Sequence, residues 1–243
     1  MTIKVVINGA RGRMGQIAVQ AITGDPNFTL VAEANRGDNL LHIIQKSKPD
    51  IVLDLTTASA VFENISQIID ANIHPIIGTS GLLPEQVKEL QKRCADKQLG
   101  GIIAPNFSIG AVLMMRFAAM AAPYFSDVEI IEMHHTQKED TPSGTAIKTA
   151  HLIDAARGKT NPPKSYREII PGSRGALANN IPIHSLRIPG VVATQEVIFG
   201  GQGETFSIKD QAISREAYMK GICLACKKAP TLTELIYGLE HLL

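Results

Sequence analysis

Over the first hundred residues, short β-branched apolar runs alternate with longer segments in which apolar residues recur at helical spacing. Residues 3–7 predict a strand and 12–23 a helix, with Gly24-Asp25-Pro26 as the break. Residues 30–34 and 50–55 predict a second and a third strand, and 61–69 carry helical spacing after the third. A fourth strand spans 74–77, followed by a helix from 84 to about 98. Pro84 stands in the first turn of that helix, where a missing N–H costs nothing, and Glu89 precedes Arg93 by four residues. A fifth strand over 102–104 stops at Pro105. Crossovers of this length join parallel strands whose two faces are both covered, which predicts an α/β, doubly wound parallel sheet.

Beyond Phe107 the pattern changes. Residues 108–122 read as a helix apolar nearly all round and interrupted by Arg116, so it is expected to be buried, with Met114, Met115 and Met120 as core filler. A strand over 128–133, a polar loop and a helix over 144–157 follow. Next comes a Pro/Gly-rich stretch with Pro162-Pro163, Pro171-Gly172 and Gly175. Three runs, 183–188, 194–199 and 204–213, then alternate as strands with no helix between them, which predicts a mixed or antiparallel sheet in a second, α+β domain. Two helices, 215–228 and 232–243, are expected to pack back on the first sheet. The predicted domains are therefore 1–106 with 215–243, and 107–214.

The chain has 243 residues, 44% of them hydrophobic, enough for two modest cores. With 24 Lys+Arg against 23 Asp+Glu the net charge is +1, which excludes a dedicated nucleic-acid binder; only residues 159–174 lean basic. Three cysteines cannot frame a chain of this size with disulfides, so a reducing compartment is expected. The first residues enter an apolar run with no basic lead, and the longest charge-free stretch, 100–115, contains Pro105 and ends at Arg116. We expect no signal peptide, no membrane span and a cytoplasmic location.

The first strand runs into Asn8-Gly9-Ala10-Arg11-Gly12-Arg13-Met14-Gly15, which opens the first helix. Glycines at such a turn let the backbone approach a pyrophosphate, and the helix start offers N–H groups and the positive end of a dipole. The spacing is G-x-x-G-x-x-G rather than G-x-G-x-x-G, and a tight βα turn without a ligand reads the same way. Its placement directly after a strand favours a nucleotide and a Rossmann-like first domain, with Arg11 and Arg13 adding positive charge. After the second strand, where an acid would hold a ribose hydroxyl, the chain has Asn35 and Arg36. A guanidinium suits a 2′-phosphate, so NADPH is expected to bind at least as readily as NADH, although Glu33 and Asp38 are close in sequence. Gly78-Thr79-Ser80-Gly81 and Ala104-Pro105-Asn106-Phe107 each follow a predicted strand, where ligands of open α/β sheets bind.

The segment Glu132-Met133-His134-His135-Thr136-Gln137-Lys138-Glu139-Asp140-Thr141-Pro142-Ser143-Gly144-Thr145-Ala146 puts two His and a Lys before a helix start. Ser143 is a candidate N-cap, leaving the N–H groups of Gly144 and Thr145 for an anion. His donates protons near neutral pH, and Lys supplies charge or acts as an acid. A His pair also suggests a metal, with Glu132 or Asp140 completing it. Adjacent strand residues point to opposite faces, however, so His134 and His135 do not readily share one ion, and no metal is expected. Cys223-Leu224-Ala225-Cys226 lies in a helical pattern and reads as packing, without the second ligand pair that zinc requires.

On this loop motif the chain resembles the bacterial 4-hydroxy-tetrahydrodipicolinate (dihydrodipicolinate) reductases. The resemblance extends over the whole chain, through the Gly9 turn, Asp54-Leu55-Thr56, Gly78-Thr79-Ser80-Gly81, Ala104 to Gly110, and Gly203-Glu204. It implies nicotinamide-dependent reduction of a cyclic dicarboxylic imine in diaminopimelate and lysine biosynthesis, by a homotetramer built through the second domain's sheet. It implies His134 as proton donor/acceptor and Lys138 as a second proton donor, with His135, Gly144 and Thr145 touching the substrate. Its cofactor residues correspond to Gly9, Ala10, Arg11, Gly12, Arg13 and Met14, to Asn35 and Arg36, to Gly78, Thr79 and Ser80, and to Ala104, Pro105, Asn106 and Phe107. The chain departs from the family at Asn35, often an acid, and over 188–195, where Gly-Asp and a His are common. An aspartate-semialdehyde or homoserine dehydrogenase type would share the crevice, but the former needs a catalytic Cys, and Cys94, Cys223 and Cys226 all lie in helical patterns. A nicotinamide-sensing binding module would not need a His/Lys pair at an anion-binding helix start.

Overall fold

The structure is a computed structural model that describes residues 2–158 and 166–243; Pro162-Pro163 and the first part of the basic run 159–174 lie outside the described residues. The chain divides into two compact units, one from the N-terminus through Ile109 together with Tyr218–Leu243, the other Gly110–Ala217.

The first unit is built on strands β1 (Ile3–Asn8), β2 (Phe28–Ala34), β3 (Ile51–Asp54), β4 (His74–Ile77), β5 (Gly101–Ile103) and β11 (Leu235–Tyr237). They form one sheet in the order β11-β5-β4-β3-β1-β2, and every neighbouring pair is parallel. Val5, Val6 and Ile7, Ile51, Val52 and Leu53, and Ile76 and Ile77 are all fully buried. Such unbroken apolar runs are what a sheet covered on both faces demands. Helices α1 (Arg13–Gly24), α2 (Leu40–Ser47), α3 (Val61–Asp70), α4 (Pro84–Asp96) and α7 (Met219–Lys228) supply the cover. Leu40 and Ile44 of α2, the Val61, Ile65, Ile68 and Ile69 stripe of α3, and Leu90 and Cys94 of α4 share one core with the strands, while α7 packs on α1.

Three segments differ from the sequence expectation. Helix α2 lies in a stretch assigned to no element; Asn39 caps it by accepting from the His42 N–H at 3.0 Å, and Leu40 and Ile44 are its buried stripe. Residues 232–243, expected as a helix, instead form strand β11 and a short 3-10 turn over Leu239–Leu242. Leu235, Ile236 and Tyr237 pair with Gly101, Ile102 and Ile103, so covering the edge of β5 outweighs helix propensity. Gly238, at φ +106, ends the strand. Residues 215–228 likewise divide into a 3-10 turn, Arg215–Tyr218, and α7.

The second unit contains α5 (Ile109–Ala121, from Gly110 on), β6 (Asp127–His134), α6 (Gly144–Arg157), β7 (Ala176–Ala178), β8 (Ile181–Arg187), β9 (Ala193–Gly201) and β10 (Glu204–Ala212). The order is β10-β9-β6-β8-β7, mixed, with β6 and β8 parallel and the other pairs antiparallel. The short edge strand β7 is absent from the sequence expectation. One face, bearing Val128, Ile130, Ile181, Ile183, Val197 and Phe199, is buried; Ile131, Met133 and Leu186 on the other remain partly exposed. Among the described residues, no helix is long and apolar enough to cross a membrane.

Candidate active site

Chain order reverses between β1 and β3, and such a switch point opens a crevice at the carboxyl ends of parallel strands. A cleft of about 520 Å³ lies there, lined by Asn8, Gly9, Arg11, Gly12, Asn35 to Asp38, Leu55 to Thr57 and Asn64, among others. Gly9 holds φ +90, and a Cβ on it would sit 2.5 Å from the Leu55 carbonyl oxygen. A Cβ on Gly15 would run into the Gly9 carbonyl, so only glycine lets α1 start this close to the turn. The N-cap, Gly12, has no side chain to occupy the first N–H groups of α1. These features fit a phosphate-bearing dinucleotide.

Of the residues expected to hold a cofactor, Gly9, Arg11, Gly12, Asn35 and Arg36 line the cleft together. Ala10 is buried, donating its N–H to the Ala34 carbonyl, and Arg13 and Met14 form the first turn of α1. Asn35 does not simply wait for a ribose: its Oδ1 accepts the Arg11 N–H at 2.8 Å, and its own N–H donates to Asp38 at 2.8 Å. Arg36 is exposed at the cleft with no partner among the described residues.

Gly78 and Thr79 are tied to the cleft through Asp54, a fully buried carboxylate at the end of β3, and Ser80 follows them, exposed. One of its oxygens accepts from the hydroxyls of Thr79 (2.6 Å) and Thr56 (2.8 Å) and from the Thr56 N–H (3.2 Å). The other accepts from the amides of Asn8 (2.9 Å) and Asn64 (3.0 Å). Ladder bonds carry the alignment onward: Gly78 N–H donates to the Asp54 carbonyl and Ala104 N–H to that of Ile77. Thus the Gly78 and Ala104 turns, the latter continuing through Pro105, Asn106 and Phe107, end the neighbouring strands on the same edge. Thr57 and Asn64 are cleft residues that sequence reasoning missed, while Asp38 and Thr56, noted in the sequence without an assigned role, also line the cleft.

In the second unit, β6 delivers His134 at its last position and Glu132 two residues earlier on the same face. Glu132 is fully buried, and His134 Nδ1 lies 2.6 Å from its Oε2. Arg187, opposite His134 on β8, grips both Glu132 oxygens at 2.9 Å. Burial pushes the Glu132 carboxyl up, but hydrogen bonds from His134 and Arg187 outweigh it and hold the group at about 2. The same carboxylate accepts the Ser143 N–H at 3.2 Å. Ser143 in turn caps α6, its hydroxyl accepting from Ala146 N–H at 3.2 Å, and Gly144 and Thr145 form the first turn. Lys138 is bound to Asp140, with Nζ 2.7 Å from both carboxylate oxygens, and its N–H closes a turn on His135. His134, Lys138 and the start of α6 are therefore gathered in one loop. Glu132, offered by the sequence as a metal ligand, spends its oxygens on these partners.

Buried Gln195 extends the same polar end of the sheet, its amide donating to Thr149 Oγ1 at 2.7 Å, and Thr149 donating to the Thr145 carbonyl at 2.7 Å. The cysteines are packing residues: burial pushes the Cys94 thiol up to about 11 and raises those of Cys223 and Cys226.

The chain is similar to known proteins over its full length. The family description "Dihydrodipicolinate reductase, N-terminus" matches residues 3–107, and "Dihydrodipicolinate reductase, C-terminus" matches 110–243. The chain is 53% identical over 243 residues to a 4-hydroxy-tetrahydrodipicolinate reductase of Legionella pneumophila (strain Lens), with 100% of each chain covered. A protein of the same name from Coxiella burnetii (strain Dugway 5J108-111) is 49% identical over 244 residues, again with 100% of each covered. Among solved structures, the dipicolinate-bound dihydrodipicolinate reductase from Paenisporosarcina sp. TG-14 superposes with a TM-score of 0.89 at 41% identity, covering 100% of both chains. With its fold, its two family matches and its full-length relatives in agreement, the chain belongs to the dihydrodipicolinate reductase family and is, with it, an oxidoreductase.

Proposed function

We propose that the protein reduces 4-hydroxy-tetrahydrodipicolinate to tetrahydrodipicolinate with NADPH or NADH, in diaminopimelate and lysine biosynthesis. The carrying observation is the polar end of β6, where His134 and the start of α6 share the Glu132 carboxylate. A nicotinamide cofactor, when bound, supplies a hydride. The Gly9–Gly15 turn, Arg11 and Arg36 would bind its phosphates, Asn35 and Asp38 would hold the ribose, and the turns at Gly78 and Ala104 would line the remainder. The N–H groups at Gly144 and Thr145, with His135, hold a substrate carboxylate. His134 and Lys138 meet with protons the charge that develops on the conjugated imine. Lys138 must exchange Asp140 for the substrate to do so.

The test follows nicotinamide absorbance with the imine generated in situ from pyruvate and aspartate semialdehyde. Wild type should oxidise NADPH rapidly, and Lys138→Ala should lose about 100-fold in kcat with cofactor affinity unchanged. Unaltered turnover in the variant would remove Lys138 from the chemistry. The exposed Arg36 supports NADPH as at least an equal of NADH. Arg36→Ala should raise KM for NADPH about tenfold, with little change for NADH; equal effects would reject 2′-phosphate recognition. The partly exposed second sheet face supports a homotetramer, for which light scattering should give four times the chain mass.

A further inference from the structure

We propose that the Glu132–Arg187 ion pair is the positioning element of this site, holding His134 as the tautomer protonated on Nδ1 so that Nε2 exchanges protons with substrate, and setting the backbone of the Lys138 segment. It rests on the reading of His134 and Lys138 as the proton-handling groups.

Strand periodicity makes the arrangement possible. On the covered face of β6, Val128 and Ile130 give way to Glu132 and His134. On β8, Ile181 and Ile183 give way in register to Ser185 and Arg187. An ionised carboxylate at the end of an apolar face is very costly unless paired and hydrogen-bonded. The bidentate guanidinium satisfies that demand, and Oε2, which accepts from Arg187 Nη1, also takes the imidazole at 2.6 Å. An ionised carboxylate only accepts, so the proton in this contact belongs to His134 Nδ1. The opposite tautomer would turn a bare Nδ1 lone pair on a buried anion. Arg187 also donates from Nε to the Lys138 carbonyl (3.2 Å) and from Nη2 to the Asp140 carbonyl (2.7 Å). One guanidinium thus bridges the carboxylate that aims His134 and the backbone that carries Lys138.

An imidazolium carries N–H on both nitrogens. Its Nε2–H bond breaks, the electron pair stays on Nε2, and the proton passes to the substrate atom that gains charge when hydride adds. The neutral ring left behind is the Nδ1–H tautomer that Glu132 selects, and water returns the proton.

The first test needs no variant: nitrogen-15 NMR of histidine-labelled protein should show neutral His134 protonated on Nδ1, and an Nε2–H tautomer would overturn the proposal. Glu132→Gln should mix the tautomers and lower kcat about 100-fold, with KM within about threefold. Arg187→Lys keeps the charge but loses the fork; it should lower kcat about tenfold while leaving the tautomer in place. Melting temperature and NADPH affinity confirm that each variant is folded. If His134→Gln is inactive but folded Glu132→Gln matches wild type in kcat and tautomer, the pair is only structural and this inference falls while the function stands. If His134→Gln turns over like wild type, the underlying reading of His134 fails instead.

Discussion

Asp54 has donors aimed at both oxygens and no contact with solvent. Exchange for Asn would turn one acceptor into an N–H pair. On one side that pair meets the amides of Asn8 and Asn64, on the other the Thr56 N–H, so neither orientation satisfies the group. Asp54→Asn is therefore expected to cost about 3 kcal/mol in urea unfolding and to weaken NADPH in fluorescence titration, because the ends of β1, β3 and β4 lose their common anchor. Unchanged stability and affinity would show the hub to be dispensable. The sequence displays Asp54-Leu55-Thr56 and Thr79 as separate motifs; their convergence on one carboxylate depends on strand ends 25 residues apart becoming neighbours.

Among elements, α1 shows a local code that is legible and β11 one that is not. Strand, glycine turn and helix follow one another within the first residues, and Gly15 is required by an approach that takes place inside that unit. Gly15→Ala should cost about 3 kcal/mol and abolish nucleotide binding, since its Cβ meets backbone carbonyls that cannot yield without shifting the turn. A variant that still binds NADPH with wild-type affinity would contradict the close approach. Residues 235–237, by contrast, have helical spacing but become a strand because β5 offers them an unpaired edge, a partner more than 130 residues away. Gln91, whose amide donates to the Leu235 carbonyl at 3.1 Å, holds them there.

The molecule as a whole has an acid limit that can be read from its carboxylates. Glu132 is held down from 4.5 to about 2, as described, and Asp25 from 3.8 to about 2 by the Asn27 N–H, its amide and Lys227. Folded values below the unfolded ones give stability that is fully present above about pH 4.5 and is lost as the pH falls through about 2. Melting temperature should be level from pH 7 to 5 and decline below 4.5, and the decline should be shallower in Glu132→Gln; an identical profile in that variant would remove Glu132 as a contributor. By itself the sequence determined the fold class and most element positions, and it singled out the glycine turn and the His-Lys loop as the candidate sites. Those signals are local, arising from periodicity, turn residues and caps within a few residues of one another. Only the tertiary structure decided that the C-terminal segment completes the parallel sheet, that Asp54 joins the strand ends, and that Arg187 and Glu132 stand behind His134. Each of these needs residues far apart in the chain to meet, and the free energy that selects them, the burial of charge with its partners and the pairing of an open edge, exists only once the sheets have formed.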